Sequence, residues 1–179
     1  MAILGENPII QHVYERVSSV FEHTYVVTDD ERIETCVLAF GGRCIMTGTH
    51  HKSGTDRCYE ALEKLGADYD VVVNVQGDEP FIATSQLETI KACFADAQTQ
   101  IATLVKPFLP ADGIETLENP NSPKVVLDNN NYAIYFSRSV IPYLRGVEKS
   151  EWLEKHTFYK HIGLYAYRSQ VLKEITSMP

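Results

Sequence analysis

Residues 70–80 read Asp-Val-Val-Val-Asn-Val-Gln-Gly-Asp-Glu-Pro, and this run restricts the fold more than any other. Four β-branched valines, interrupted only by Asn74 and bounded by polar residues, predict a short strand buried on both faces, as parallel sheets require. Gly77 permits a sharp turn, and Pro80 stops the ladder. Asp78 is then expected to project from the carboxyl end of a central strand, where open α/β sheets bind ligands. Residues 76–80 also suit an ordinary polar turn. The adjacent carboxylates of Asp78 and Glu79 are hard oxygen donors of the kind magnesium takes alongside substrate phosphates.

The flanking sequence alternates between strand and helix patterns. Asn7 and Pro8 read as a cap and a first helical residue, followed by Ile10, Val13, Tyr14 and Val17 at helical spacing. No strand is expected before that helix. A strand over 25–28 ends at Asp29 and Asp30, where a helix starts that carries Ile33, Val37 and Phe40 on one face and stops at Gly41-Gly42. Residues 43–47 read as a strand and 48–52 as a polar loop. Ser53 caps the next helix, with Asp56 in the capping-box position. After the valine run comes a helix capped by Ser85 with Glu88 in the box position, then a strand over 101–105. Such alternation implies a mostly parallel sheet with helices on both faces. Beyond it, 114–123 reads as irregular loop. Strands over 124–127 and 132–136, joined by asparagines that tolerate left-handed backbone, read as an inserted hairpin. Residues 144–154 read as a charged, exposed segment. A strand over 162–167 and a helix capped by Ser169 close the pattern.

At 179 residues the chain is expected to form a single domain over 1–179. Its net charge of −8 argues against broad contact with nucleic acid or an anionic membrane surface, which need a basic face. Cys36, Cys44, Cys58 and Cys93 form no Cys-x-x-Cys pair, so buried thiols in a reducing cytosol are expected. No run approaches the length of a membrane span.

An anion therefore has to meet a local basic patch. The helix opening at Ser53-Gly54-Thr55 offers free backbone N–H groups and the positive end of the helix dipole, with Lys52 and Arg57 beside it. Arg138, Lys160 and His161 add positive charge. Each has a plain structural alternative: Ser53 as a cap, Arg138 as a surface ion pair, His161 as a satisfied loop histidine, Tyr165 as sheet filling. Taken together with Asp78, they describe a site for two anions bridged by a metal, the requirement of phosphoryl or nucleotidyl transfer. There is no Walker loop, no Gly-x-Gly-x-x-Gly and no Gly-x-Ser-x-Gly. His50 and His51 lack the i, i+4 spacing of a helical zinc site.

Five blocks carry a resemblance: His51-Lys52-Ser53-Gly54-Thr55-Asp56-Arg57, Asn74-Val75-Gln76-Gly77-Asp78-Glu79-Pro80, Pro123-Lys124-Val125-Val126-Leu127-Asp128, Tyr135-Phe136-Ser137-Arg138 and Lys160-His161-Ile162-Gly163-Leu164-Tyr165-Ala166-Tyr167-Arg168. In this order they resemble the 3-deoxy-manno-octulosonate (Kdo) cytidylyltransferases, the CMP-Kdo synthetases of Gram-negative bacteria. The resemblance implies a Rossmann-like, three-layer α/β/α nucleotide-diphospho-sugar transferase fold. The implied reaction turns CTP and Kdo into CMP-Kdo and pyrophosphate for lipopolysaccharide biosynthesis, in the cytoplasm, by a Mg2+-dependent homodimer with the hairpin at its interface.

Carried across position by position, Asp78 would bind magnesium, and Ser53, Gly54, Thr55, Arg57 and Gln76 would lie against the nucleotide. Gln76, Arg138, His161 and Tyr165 would line the sugar pocket, with Asp78, Gln76 and Arg138 carrying the transfer. Lys124 falls in a matching block without a defined role. Family members also carry an opening strand, a basic loop and a further C-terminal segment with a second magnesium aspartate. Without them these 179 residues are expected to have little or no turnover. Alternatives that remain open are a related sialic acid cytidylyltransferase, which the blocks around Arg138 and His161 disfavour, and a nucleotide-binding fragment without catalysis.

Overall fold

The computed structural model describes residues 2–178, which divide into two compact units, 2–102 with 164–178 and Thr103–Gly163. In chain order the elements are β1 (Ile3–Leu4), β2 (Asn7–Pro8), α1 (Ile9–Ser18), β3 (Val26–Thr28), α2 (Glu31–Ala39), β4 (Cys44–Met46), α3 (Gly54–Leu65), β5 (Val71–Asn74), α4 (Thr84–Ala92), β6 (Ile101–Pro107), α5 (Gly113–Glu118), β7 (Lys124–Leu127), β8 (Ala133–Ser137), α6 (Trp152–Lys155), β9 (Tyr159–Arg168) and α7 (Ser169–Thr176). None of the described helices is long and apolar enough to cross a membrane.

In the first unit β3 pairs with β4 in parallel, Val26 opposite Cys44 and Thr28 opposite Met46. β5 pairs antiparallel with the C-terminal half of β9, Val71 opposite Arg168 and Asn74 opposite Tyr165. The mixture of parallel and antiparallel strands with intervening helices is the expected α/β class. Val37, Leu87, Ile90 and Leu172 are fully buried, and α7 packs on α3 and β5.

Several local expectations are corrected here. The valines of β5 are half-buried rather than enclosed, because they face a cleft of about 550 Å³ lined also by Val26, Val27 and Ile45. Pro8 is the cap of α1, and the preceding residues do form strand, β1 and β2 pairing antiparallel around Gly5. Ser85 lies inside α4. That helix is closed by Gln86, whose side-chain oxygen accepts the Ala83 N–H at 2.9 Å. Ser169 is the first residue of α7, and its hydroxyl donates to the Tyr69 carbonyl. All four thiols are half-buried rather than enclosed.

In the second unit β7 and β8 form the expected antiparallel hairpin, and Asn131 takes the left-handed turn position at φ 65°. The N-terminal part of β9 pairs with β7, Lys124 opposite Lys160. The expectations for 114–123 and 144–154 fail for one reason: both segments contribute apolar side chains to a local core. Residues 113–118 are helical. Trp152, expected at the surface, is only 2% exposed and packs with Phe108, Leu117 and Phe158. Its ring stacks on Phe158 at 6.0 Å, and its indole N–H donates to Val147 O at 3.0 Å.

Trp152 is the only tryptophan in the chain, so its fluorescence reports this core. Leu117→Ala, at a fully buried site, should destabilise Thr103–Gly163 by about 2–5 kcal/mol, read as an earlier shift of Trp152 emission in urea.

Candidate functional site

In the first unit the site is built where the start of α3 meets the end of β5. Ser53 caps α3: its hydroxyl oxygen accepts the Asp56 N–H at 3.1 Å and its O–H donates to the Asp56 carboxylate at 2.7 Å. The first intrahelical bond runs from Arg57 N–H to Ser53 O at 3.3 Å. The N–H groups of Gly54 and Thr55 thus start the helix without intrahelical acceptors, so the dipole end stays available to an anion or a polar oxygen. A Cβ on Gly54 would stand 3.2 Å from Asn74 Nδ2 and 3.8 Å from Gln76 Nε2. Helix and strand end are that close, and only glycine fits without a shift.

Gly54, Arg57, Asn74, Gln76 and Gly77 share the wall of the 550 Å³ cleft. Thr55 Oγ1 lies 3.4 Å from the Tyr167 hydroxyl, and the Tyr165 and Tyr167 rings stack at 6.1 Å. Burial, with Tyr167 nearby, pushes the Tyr165 phenol up, keeping it a neutral donor. Gln76, Asp78 and Glu79 are exposed. Among the described residues the Asp78 carboxylate has no hydrogen-bond or ion-pair partner. That free hard-oxygen group, beside Glu79, fits Mg2+.

Arg57 is not an idle first-turn side chain. One guanidinium nitrogen donates to Thr47 Oγ1 at 2.8 Å and another to Asp29 Oδ2 at 2.9 Å. Its hydrogen bond holds the Asp29 carboxyl below its ordinary value. Asp29, Thr47, Asn74 and Tyr167 were missed as site residues. The one polar residue inside the valine run, and a strand ending in two aspartates, were the available signals for Asn74 and Asp29.

The second unit gathers the other expected residues. The His161 N–H donates to Pro123 O at 2.9 Å, its Nε2 lies 2.9 Å from Thr103 Oγ1, and its ring meets Phe136 edge-on at 5.0 Å. Burial holds the imidazole below 6.5, so it is neutral at neutral pH. Arg138 is exposed and donates to Pro120 O at 2.9 Å. Lys124 is fully buried, its ammonium donating to Asn119 O at 3.1 Å. Burial and then the Arg138 charge push its pKa down.

The cytidylyltransferase family profile matches residues 1–179. A 3-deoxy-manno-octulosonate cytidylyltransferase of Phocaeicola vulgatus is 68% identical over the whole chain, which spans 71% of that protein. The chain belongs to the 3-deoxy-manno-octulosonate cytidylyltransferase family. A second family member, from Parabacteroides distasonis, is 64% identical, with the chain spanning 72% of it. A solved CMP:2-keto-3-deoxy-manno-octonic acid synthetase complexed with CTP superposes with a TM-score of 0.85 at 41% identity, covering 100% of this chain and 70% of that one. The family's Rossmann-like nucleotide-diphospho-sugar transferase fold, expected from the sequence, is therefore present.

Arg57 and Asp29 generate a pH prediction. A depressed carboxyl contributes stability above its unfolded value, near 3.8, and loses it as pH falls through the lower folded value. In Arg57→Ala the Asp29 carboxyl should titrate upward towards 3.8, followed by carboxyl-carbon NMR. An unchanged Asp29 titration would contradict the pairing.

Proposed function

We propose that this chain activates Kdo with CTP, giving CMP-Kdo and pyrophosphate. The observation that carries the reading is the whole-chain likeness, at a TM-score of 0.85, to a synthetase solved with CTP. The cleft wall of Gly54, Asn74 and Gln76 is consistent with it. Ser53, Gly54 and Thr55 would seat the nucleotide, the free N–H groups of α3 meeting its polar oxygens. Arg57 would hold that wall through Asp29 and Thr47, and Gln76 would face both substrates. In the second unit Arg138 and neutral His161 offer a cation and a polar tip suited to the carboxylate and hydroxyls of a sugar acid, and in the first unit Tyr165 offers a phenol hydroxyl.

Asp78 would hold Mg2+, which when bound neutralises triphosphate charge and lowers the pKa of a coordinated hydroxyl. Asp78 itself would fix that charge at the strand end, and no covalent enzyme intermediate is needed. Four free thiols fit a reducing cytoplasm, and the product suits lipopolysaccharide assembly.

Pyrophosphate release with CTP, Kdo and Mg2+ tests the reading, on this chain and on a version lengthened to the relatives' size. Release with Kdo and not with a sialic acid supports it, release only from the lengthened version supporting the further proposal that these 179 residues alone turn over poorly. No release from either folded protein would overturn it, and saturable CTP binding without release would assign a binding role. In an active protein, Asp78→Asn and chelation by EDTA should each lower turnover at least about 100-fold, with the fold retained by circular dichroism.

We also propose a homodimer through the hairpin. Ile134, Tyr135 and Phe136 are 64%, 64% and 42% exposed, an apolar stretch of β8 that a second copy would cover. Light scattering should give a dimer mass for the wild type and a monomer mass for Ile134→Lys with Tyr135→Lys; an unchanged mass would exclude this face.

A further inference from the structure

Two adjacent histidines in loop 48–52 have no part in the proposed transfer. The fold brings a third group to them from α3: one ligand atom each from His50, His51 and Glu60, all within 4.8 Å of one another. We propose that these three residues bind a transition-metal ion of the Zn2+ class, clamping loop 48–52 onto α3.

The carboxylate is already fixed from behind. Lys64 Nζ lies 2.8 Å from Glu60 Oε1 and also donates to Met46 O at 2.6 Å. The Gly48 N–H reaches both carboxylate oxygens, at 3.2 and 3.0 Å. Such outer partners orient a ligand before the ion arrives. Together with His51, they hold the Glu60 carboxyl down to about 2, so it is an anion wherever the imidazoles are neutral. The remaining oxygen, Oε2, touches Nε2 of His51, whose side chain is 10% exposed.

His50 completes the set because of Gly48. A Cβ at Gly48 would stand 2.4 Å from Nδ1 and Cε1 of His50 and 3.5 Å from Glu60 Oε2. Glycine therefore leaves the room that lets the His50 ring stand beside the carboxylate. The two imidazoles lie with centroids 4.3 Å apart, tilted by 38°. Two imidazole nitrogens and one carboxylate oxygen suit Zn2+ and leave a fourth position for water. Mg2+ prefers an all-oxygen shell. A tetrahedral ion with bonds of about 2.0–2.1 Å spaces its ligands about 3.4 Å apart. Binding therefore replaces the direct His51–Glu60 contact and draws in the exposed His50 ring.

Zn2+ titration of the metal-free chain by calorimetry, with Co2+ absorption as a second readout, tests the site. One equivalent of Zn2+ is expected, unaffected by excess Mg2+, with visible bands of tetrahedral Co2+ and no thiolate charge-transfer band from the four cysteines. His50→Ala and His51→Ala should each weaken binding on the order of tenfold or more. Gly48→Ala should do the same while removing no ligand. His156→Ala, in the other unit, should leave affinity unchanged, and circular dichroism reports the fold of each variant. Absence of saturable Zn2+ binding, a thiolate band, or wild-type affinity in folded His50→Ala and Gly48→Ala would overturn the proposal.

Discussion

The candidate site depends on one close approach, the first residue of α3 against the end of β5. Because Gly54 has no side chain, the helix start comes within van der Waals reach of Asn74 and Gln76. The rest of that unit's site is registered to the contact. Ser53 closes the cap one residue earlier, Thr55 reaches the Tyr167 hydroxyl one residue later, and Asn74 pairs across the ladder with Tyr165. A bulkier residue at position 54 would press on the Asn74 and Gln76 side chains and displace their polar ends from the start of the helix.

The electrostatics are local. A chain of net charge −8 repels anionic ligands on average, so attraction has to come from fixed dipoles and individually placed cations. Arg57 is tied to Asp29 and Thr47, which makes it a brace for the strand ends as well as a charge near the cleft. Asp78 differs: exposed and unpartnered among the described residues, it has no internal structural task that accounts for a carboxylate there.

Much of this was legible from local rules. The Ser53–Asp56 cap, the asparagine turn and the glycine stop after α2 follow from backbone chemistry that needs no tertiary partner. Trp152 and the helix at Gly113–Glu118 were not legible, because charged neighbours mask short apolar contributions that meet only in the folded core. α4 starts two residues earlier than a Ser85 cap implies, and Gln86 takes the capping-box role expected of Glu88 by accepting the Ala83 N–H, with no cap side chain in the place expected of Ser85. The partners of Arg57 lie 10 and 28 positions away in sequence, a distance no spacing rule spans. Conversely, helical spacing excludes the histidine pair as a zinc site, a criterion blind to the Glu60 carboxylate that α3 brings beside the two imidazoles.

Among the described residues β3 pairs only with β4, and β5 only with β9. Both line the same valine-rich cleft, so each has one edge whose main-chain donors and acceptors have no strand partner. Such an edge is a template that accepts any extended segment of similar pattern. The valine run itself has that pattern, β-branched and uncharged at its centre. In concentrated solution the stretch that most defines the fold thus also carries an edge with which an extended segment of a neighbouring molecule can pair.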